Sequence, residues 1–357
     1  MTTVASFEIG YTQFIDRSGR ATGELPAFAR DPAALVPLYR AMVLTRSFDA
    51  KAISLQRTGR LGTYPSSLGQ EAVGVGFGAA MAPADVLLPS YREHGAQLWR
   101  GVTPVELLLY WGGDERGSDF SGPRQDFPVC VPVASHAPHA VGVALALKLR
   151  GEKRAAVCAL GDGATSKGDF YEALNLAGVQ RLPVVFVVVN NQWAISVPRQ
   201  AQSAAATLAQ KAVAAGLPGE QVDGNDVVAV VHVLTGALER ARLGGGASLI
   251  EALTYRLGDH TTADDASRYR DDAAVSEHWE AEPIARLRSY LVGAGAWSKA
   301  DEERLLADCA AAIEAAVETY LATPPLSPTS MFDHLFAALP ADLAGQRAEV
   351  AAEARGG

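Results

Sequence analysis

Two short polar motifs carry the residue types that could do chemistry. The first, GDGATSKGDF, places Asp162 between two glycines, and the second, VVFVVVNNQWAIS, ends a run of valines with Asn190 and Asn191. A carboxylate oxygen and an amide oxygen are hard ligands that suit Mg²⁺, which usually takes further ligands from substrate phosphates. The glycines leave backbone N–H groups open to a phosphate. Together the motifs predict a metal-bridged diphosphate site.

Each motif alone has a simpler interpretation. A GDG sequence can be a tight turn, and two consecutive asparagines can cap the segment that follows. The site interpretation is favoured because both motifs follow predicted strands that are consecutive in the chain.

The surrounding elements predict how the motifs are positioned. Between Val141 and Pro198 the apolar pattern alternates helix, strand, helix, strand, and PVVFVVVN is apolar on both faces, as a central parallel strand must be. DVVAVVHVLTGALERAR then predicts a helix and SLIEALTYR a strand. This alternation predicts an α/β fold with a doubly wound parallel sheet, whose ligands bind beyond the carboxyl ends of the strands. Both motifs are expected at that edge.

The flanking segments divide the chain into three predicted parts. Residues 1–30 lack lasting periodicity and predict an N-terminal extended arm. Residues 31–322 predict the α/β domain with helical additions, beginning with a helix that has Asp31 as its N-cap and a proline in its first turn. Residues 323–357 predict a C-terminal helical tail, with an amphipathic segment from Met331 after the TPPLSP break.

Composition and charge exclude several function classes. The chain has 357 residues, and its net charge of −9 disfavours nucleic-acid or anionic-membrane partners. No apolar run of about eighteen residues and no basic-then-apolar N-terminal segment occurs, which predicts no membrane span and no targeting signal. Cys130, Cys158 and Cys309 are widely spaced and predict free thiols in a reducing compartment. We therefore expect a cytoplasmic protein.

Two nucleotide-binding motifs are absent. GATSKG lacks the order of a phosphate loop, because Lys167 precedes the second glycine. GVGFG, from Gly74 to Gly78, comes close to a dinucleotide fingerprint but lies within a helical pattern. ATP and NAD are therefore not expected as ligands.

The two motifs and several other segments resemble one family. GDG followed at this distance by NN is the thiamine diphosphate signature. The segments GTYPSSLGQEAVGVG, LLPSYREHG, VDGNDV and YRLGDHTTADDASRYR are similar, in matching order, to the α subunit of the E1 component of 2-oxo acid dehydrogenase complexes. The resemblance covers roughly residues 37–290, and MFDHLFAALPADLAGQ is similar to the family's C-terminal helix. It implies a thiamine diphosphate-binding α/β fold, in agreement with the predicted sheet.

The resemblance assigns roles to individual residues. It implies that Asp162, Asn191 and the carbonyl of Trp193 bind Mg²⁺ and so anchor the cofactor. It also implies that the backbone amides of Gly163 and Ala164 and the Tyr91–Arg92 pair bind the diphosphate. Val133 is implied as an apolar support for the cofactor, and Ala134 as a main-chain contact to its aminopyrimidine. His260 is implied as the loop histidine of the family. His260 is also the expected catalytic residue, as a proton donor near neutral pH.

Several other residues near these motifs have no specific role assigned by the resemblance. Ser135 and His136 align near a potassium site of some relatives, but the local residues differ and no ion is assigned. His136 and His139 could chelate a metal if helical, although lining a cleft is the simpler role. Glu71 and Tyr64 are expected near the substrate.

The chain is expected to supply half of an active site. Thiamine catalysis needs a carboxylic acid at the aminopyrimidine, and in thiamine enzymes this acid lies on a second, similar domain. A chain of this length has room for one such domain. The resemblance implies that a β subunit supplies the other, in an α2β2 heterotetramer that acts with a lipoyl-bearing E2 component.

The resemblance also implies a reaction. It is oxidative decarboxylation of a small 2-oxo acid, with transfer of the acyl group to lipoyl-E2. YWGGDERGSDF favours pyruvate, which we expect, whereas GDHTTADDASRYR is as similar to branched-chain enzymes. Acetoin cleavage uses the same architecture. A non-catalytic binding subunit would keep the fold without the chemistry, and the intact metal, phosphate and loop positions count against it.

Overall fold

A parallel sheet forms the centre of the protein, which a computed structural model describes over residues 1–356. The strands are β1 (Gly10–Thr12), β2 (Val86–Leu88), β3 (Ala156–Gly161), β4 (Val184–Asn190), β5 (Trp193–Ala194), β6 (Val197–Pro198), β7 (Gly219–Asp223) and β8 (Ser248–Leu253). Six of them pair in parallel in the order β1-β7-β8-β4-β3-β2, and β5 and β6 form a separate antiparallel hairpin.

Helices connect the strands and extend the domain at its C-terminal side. They are α1 (Val36–Arg57), α2 (Glu71–Ala80), α3 (His94–Arg100), α4 (Pro104–Trp111), α5 (His136–Leu149), α6 (Gly168–Val179), α7 (Arg199–Gln202), α8 (Lys211–Ala214), α9 (Val227–Arg242), α10 (Asp272–Trp279), α11 (Pro283–Gly293), α12 (Lys299–Ala322) and α13 (Ala341–Gly356). Among these residues, no helix is both long enough and apolar enough to span a membrane.

Both faces of the sheet are covered by helices. Every residue of β4 is buried, because successive side chains of a strand point to opposite faces and both faces are packed. Cys158 and Phe186 pack on one face with α5 and α6, whereas Val157 and Val187 pack on the other with α2 and α9. The predicted doubly wound parallel sheet is therefore confirmed.

The N-terminal arm supplies a strand that the sequence did not predict. β1 pairs with β7 and becomes one edge of the sheet. Asp226 fixes the arm just beyond β1, because its carboxylate accepts from the backbone N–H groups of Phe14 and Ile15 at 2.7 and 2.8 Å. Three residues with no apolar alternation are too short a pattern to predict a strand.

Two predicted helix starts differ from the structure. Asp31 caps a single 3-10 turn, Pro32–Leu35, and α1 begins only at Val36. In the C-terminal tail α13 begins at Ala341 rather than near Met331. Proline disfavours helical geometry in the residue before it, so Pro340 separates α13 from the preceding segment.

Candidate active site

The two polar motifs meet at the carboxyl edge of the sheet. β3 and β4 are neighbours, with Gly161 opposite Val189, so Asp162 and Asn191 follow adjacent strand ends. A cavity of about 200 Å³ opens at this edge. The residues predicted for the site all line it: Tyr91, Arg92, Val133, Ala134, Asp162, Gly163, Ala164, Asn191, Trp193 and His260.

Asp162 has the environment of a metal ligand. Its side chain is 2% exposed, and burial raises the pKa of its carboxyl to about 6. Its oxygen Oδ2 has no hydrogen-bond partner among the residues that the structure describes. A buried carboxylate oxygen is costly unless a cation or a proton accompanies it. The residue therefore fits a divalent cation.

Asn191 is held in one orientation. The backbone N–H of Trp193 donates to Asn191 Oδ1 at 3.2 Å, and Asn191 Nδ2 donates to Gln70 Oε1 at 3.1 Å. The second lone pair of Oδ1 remains available to a cation. The carbonyl of Trp193 accepts from Arg256 Nη1 at 3.5 Å, which is at the limit of a hydrogen bond. Both oxygens fit the predicted Mg²⁺ ligand set.

The turn after β3 forms a cradle for an anion. Residues Asp162–Ser166 form a 3-10 turn, whose first N–H groups have no carbonyl partner within the turn. A Cβ at Gly163 would lie 2.9 Å from Ala194 Cβ, so only glycine leaves this space open. Lys211 Nζ supports the turn from outside by donating to the carbonyl of Thr165 at 2.8 Å. The cradle fits a diphosphate.

Arg92 is buried and joins two loops at the cavity. Its Nη1 donates to the carbonyl of Ser66 at 2.7 Å, and its Nη2 donates to His260 Nδ1 at 2.8 Å. Because a guanidinium can only donate, Nδ1 of His260 is the acceptor and Nε2 carries the ring proton. Burial, together with Arg92 and Arg256, lowers the pKa of His260 to about 4. The imidazole is therefore neutral at pH 7.

Arg256 is a buried cation of this region that sequence analysis did not predict. It is 1% exposed, and its Nη2 donates to the carbonyl of Ile195 at 2.9 Å and to Tyr269 Oη at 2.8 Å. Tyr269 donates to Asp264, which also accepts from the backbone N–H of His260 at 2.9 Å. These contacts connect the β5–β6 hairpin to the loop that carries His260. The one feature of the sequence that could have indicated a role for Arg256 is its position just before the GDHTTADD segment.

Unusual backbone conformations occur at the cavity. Ala134 and Ile195, which line it, have φ values of 66° and 58°, in the left-handed region that residues other than glycine rarely adopt. Gln192, between Asn191 and Trp193, has a φ of 71°. Such conformations persist where the surrounding structure imposes them, and they cluster at functional sites. Val133, next to Ala134, is 45% exposed, so its side chain is available to pack against a ligand.

The cavity also contains polar residues that were not predicted as ligands. They are Gln70, Ser90, Glu93, Cys130 and His136. The carboxylate of Glu93 is occupied, since it accepts from Ser90 Oγ at 3.0 Å and from the backbone N–H of Arg92 at 3.1 Å. Each of these residues lies in or beside a segment that resembles the family, but its residue type does not by itself indicate which ligand it would bind.

His136 and His139 do not form a chelating pair. Both lie on α5, but His136 is buried and its Nε2 donates to the carbonyl of Ala159 at 2.7 Å. His139 is exposed and stacks with Phe127, with ring centroids 6.5 Å apart. His136 lines the cavity, as the simpler interpretation expected.

Glu71 and Tyr64, which were expected near the substrate, do not line the cavity. Burial raises the pKa of Glu71, whose carboxylate accepts from Arg46 Nε at 2.8 Å. Tyr64 donates to the buried carboxylate of Asp49 at 2.7 Å. Buried carboxylates need such partners, which accounts for both residues structurally.

Comparison with known proteins places the chain in a family. The family model described as "Dehydrogenase E1 component" matches residues 39–329. The chain is 42% identical, over 88% of its length and 86% of the relative's, to 3-methyl-2-oxobutanoate dehydrogenase subunit alpha of Mycobacterium tuberculosis. It is 40% identical to pyruvate dehydrogenase E1 component subunit alpha of Acholeplasma laidlawii, over 94% and 97% of the two chains. It is 38% identical to the protein of that name from Staphylococcus aureus, over 96% and 93%. The chain therefore belongs to the dehydrogenase E1 component family.

Proposed function

We propose that this chain is the α subunit of a thiamine diphosphate- and Mg²⁺-dependent E1 enzyme that decarboxylates a 2-oxo acid and passes the acyl group to a lipoyl-bearing E2 protein. The observation that carries the proposal is the convergence of all the predicted ligands on one cavity, around a buried carboxylate oxygen without a partner. Oxidoreductase chemistry agrees with the family and with the names of the relatives.

In this proposal the chain's own residues bind and orient the reactants. Asp162, Asn191 and the Trp193 carbonyl hold the cation, while the N–H groups of Gly163 and Ala164 face the diphosphate. Arg92, next to Tyr91, supplies positive charge to the phosphate end of the cavity. These groups are fixed before any ligand arrives, so little reorganisation is needed during the reaction. Bound thiamine diphosphate supplies the electron sink for decarboxylation.

His260 holds a proton at a defined atom. Since Nδ1 accepts from Arg92, the available proton is on Nε2. Reduction of the lipoyl disulfide requires a proton for the departing sulfur, and we propose that His260 supplies it. Burial first, and then the charges of Arg92 and Arg256, lower the pKa of His260, so the imidazole must gain a second proton before it can act as the acid. In our proposal a diphosphate bound to Arg92 offsets its charge and takes its N–H donor away from Nδ1, so that Nδ1 can be protonated and the imidazolium can give the Nε2 proton to the sulfur.

A β subunit completes the proposed site. Two carboxyl groups line the cavity within the described residues: Asp162 is assigned to the cation, and Glu93 is already hydrogen-bonded. The acid for the aminopyrimidine is therefore proposed to come from a second chain, in an α2β2 assembly. Exposed apolar side chains near the cavity support a covering partner: Val131, Val133, Ile195 and Val197.

The substrate is proposed from the names of the relatives. Pyruvate is our first candidate, because the relatives named for it align with the larger share of the chain. A branched-chain 2-oxo acid is the second candidate, because a relative named for 3-methyl-2-oxobutanoate has the higher identity. A cytoplasmic location, expected from the cysteine pattern, belongs to the same proposal.

Co-expression with the candidate β chain tests the proposal. The purified complex is assayed with pyruvate, 3-methyl-2-oxobutanoate and acetoin, using an artificial electron acceptor, and then with a lipoyl domain. We expect 2-oxo acid turnover by the complex and none by the α chain alone. Turnover by the homogeneous α chain would contradict the half-site argument, and turnover of acetoin alone would contradict the substrate class. We also expect Asp162→Ala to lose Mg²⁺-dependent binding of the cofactor, which tests the proposed metal site.

A further inference from the structure

Three residues that line the cavity carry a buried side-chain atom without a hydrogen-bond partner. The atoms are Gln70 Nε2, His136 Nδ1 and Asp162 Oδ2. Asp162 is assigned to the cation, and the ring of His136 is anchored through its other nitrogen. The Nε2 end of Gln70 has no assigned role, although the residue is only 5% exposed. A buried amide with a free end is costly, and because this end belongs to a residue that lines the cavity, it fits a ligand.

A backbone group determines how the amide of Gln70 is oriented. The N–H of Trp193 can only donate, so the Asn191 atom that it contacts is the oxygen. The other end of that amide is then the donor Nδ2, and the Gln70 atom 3.1 Å away must be oxygen. The remaining end of Gln70 is Nε2, which presents N–H donors and has no partner within the described part of the chain.

The backbone around Gln70 is fixed by the segment that follows β8. Gly69 has a φ of 87°, and a Cβ there would lie 2.6 Å from the carbonyl of Tyr255. Thr254 Oγ1 donates to the carbonyl of Gly69 at 2.7 Å, and the backbone N–H of Arg256 donates to the carbonyl of Asn191 at 3.1 Å. Gln70 and Asn191 are therefore held by the same segment.

We infer that Gln70 is a positioning residue with two contacts: its oxygen orients Asn191 toward the cation, and its Nε2 binds an anionic oxygen of the ligands. The inference rests on the proposed function. An N–H donor in a cavity that also contains Arg92 fits a negatively charged oxygen. A phosphoryl oxygen of the cofactor and the carboxylate of the 2-oxo acid share this chemistry.

The test compares two variants in the α–β complex. Gln70→Glu keeps an oxygen for Asn191 but loses the donor, so we expect binding of the anion to weaken about tenfold or more. A higher Kd for thiamine diphosphate by calorimetry identifies the phosphoryl oxygen, whereas a higher KM for the 2-oxo acid at unchanged cofactor Kd identifies the carboxylate. Gln70→Met also loses the oxygen. At saturating thiamine diphosphate, the Mg²⁺ concentration for half-saturation should therefore rise in Gln70→Met and stay near the wild-type value in Gln70→Glu.

Gln97 provides the matched control. It is 2% exposed, neither end of its amide has a partner, and it does not line the cavity. Gln97→Met should bind Mg²⁺ and cofactor as the wild type does, and thermal unfolding checks that all variants are folded. Unchanged Kd, KM and Mg²⁺ requirement in both Gln70 variants would overturn the inference, as would an equal loss in Gln97→Met. Failure of the wild-type complex to bind the cofactor would instead contradict the proposed function itself.

Discussion

Replacing Asp162 by asparagine should make the ligand-free chain more stable while it removes metal binding. Burial raises the pKa of this carboxyl from its ordinary value of 3.8 to about 6. Each pH unit of such a rise corresponds to about 1.4 kcal/mol, so ionising Asp162 costs the folded state about 3 kcal/mol. The asparagine side chain has nearly the same shape and carries no charge to bury, so the Asp162→Asn variant avoids this cost.

The sign of the effect fixes its pH dependence. Between pH 3.8 and about 6 the folded chain binds the Asp162 proton more tightly than the unfolded chain does, so the wild type loses stability as pH rises through this range. The advantage of Asp162→Asn should grow from about 0.5 kcal/mol at pH 4 to about 3 kcal/mol at pH 8, because the penalty is complete only above the folded pKa.

Denaturant unfolding of the metal-free chain at several pH values measures this advantage. Adding Mg²⁺ and thiamine diphosphate to the α–β complex should reverse the order, because ligands stabilise only the protein that binds them. Asp169→Asn, at a partly exposed carboxylate within the same motif, should change neither measurement. Parallel pH profiles for the wild type and Asp162→Asn would refute the burial argument, and equal stabilisation of both by the ligands would refute the metal assignment.

Three further changes test other parts of the site and core. At saturating cofactor, His260→Ala should keep a substantial part of the activity with an artificial electron acceptor, while reductive acylation of a lipoyl domain should fall roughly 10²–10⁴-fold. Equal losses in the two assays would show that His260 has only a binding role. Gly163→Ala places a Cβ 2.9 Å from the Cβ of Ala194 and should raise the Kd for the cofactor, measured by calorimetry. A Cβ at Gly168 would have no described atom within 4 Å, so Gly168→Ala should leave this Kd unchanged. Arg46→Met leaves the carboxylate of Glu71 buried without its cation, so the free energy of unfolding in denaturant titrations should fall by about 3–5 kcal/mol. A fall of less than about 1 kcal/mol would contradict the role of Arg46 as the partner of Glu71.

The central fold and the meeting of the two motifs at one edge of the sheet were predictable because their signals are local. The valine run of β4 favours a strand buried on both faces because it is short and rich in β-branched residues, and helix–strand alternation predicts that β3 and β4 are neighbours. The motifs at the ends of these strands then had to share one edge. Family resemblance added Arg92 and His260, whose contact spans 168 positions of the chain.

Residues whose roles depend on distant partners were not predictable in the same way. Gln70 acquires its role through Asn191, 121 positions away, and Arg256 through the hairpin carbonyl of Ile195 and through Tyr269. Neither residue type distinguishes a buried organising group from a solvated surface group. Burial alone separates the two cases, and burial is a property of the assembled structure.

The pairing of β1 with β7 sets an order for biosynthesis. Thr12 donates to Glu220, 208 positions later, so the first strand leaves the ribosome long before its partner exists. β2, β3 and β4 can pair before β7 is synthesised, and because β7 joins them only through β8, the edge formed by β1 and β7 is complete only after β8 has emerged. Such late, long-range closure is slow, and an open strand edge invites association with other chains. Nascent chains that stop before β7 thus carry an unpaired N-terminal strand, and mature chains that lose the arm expose β7 in its place.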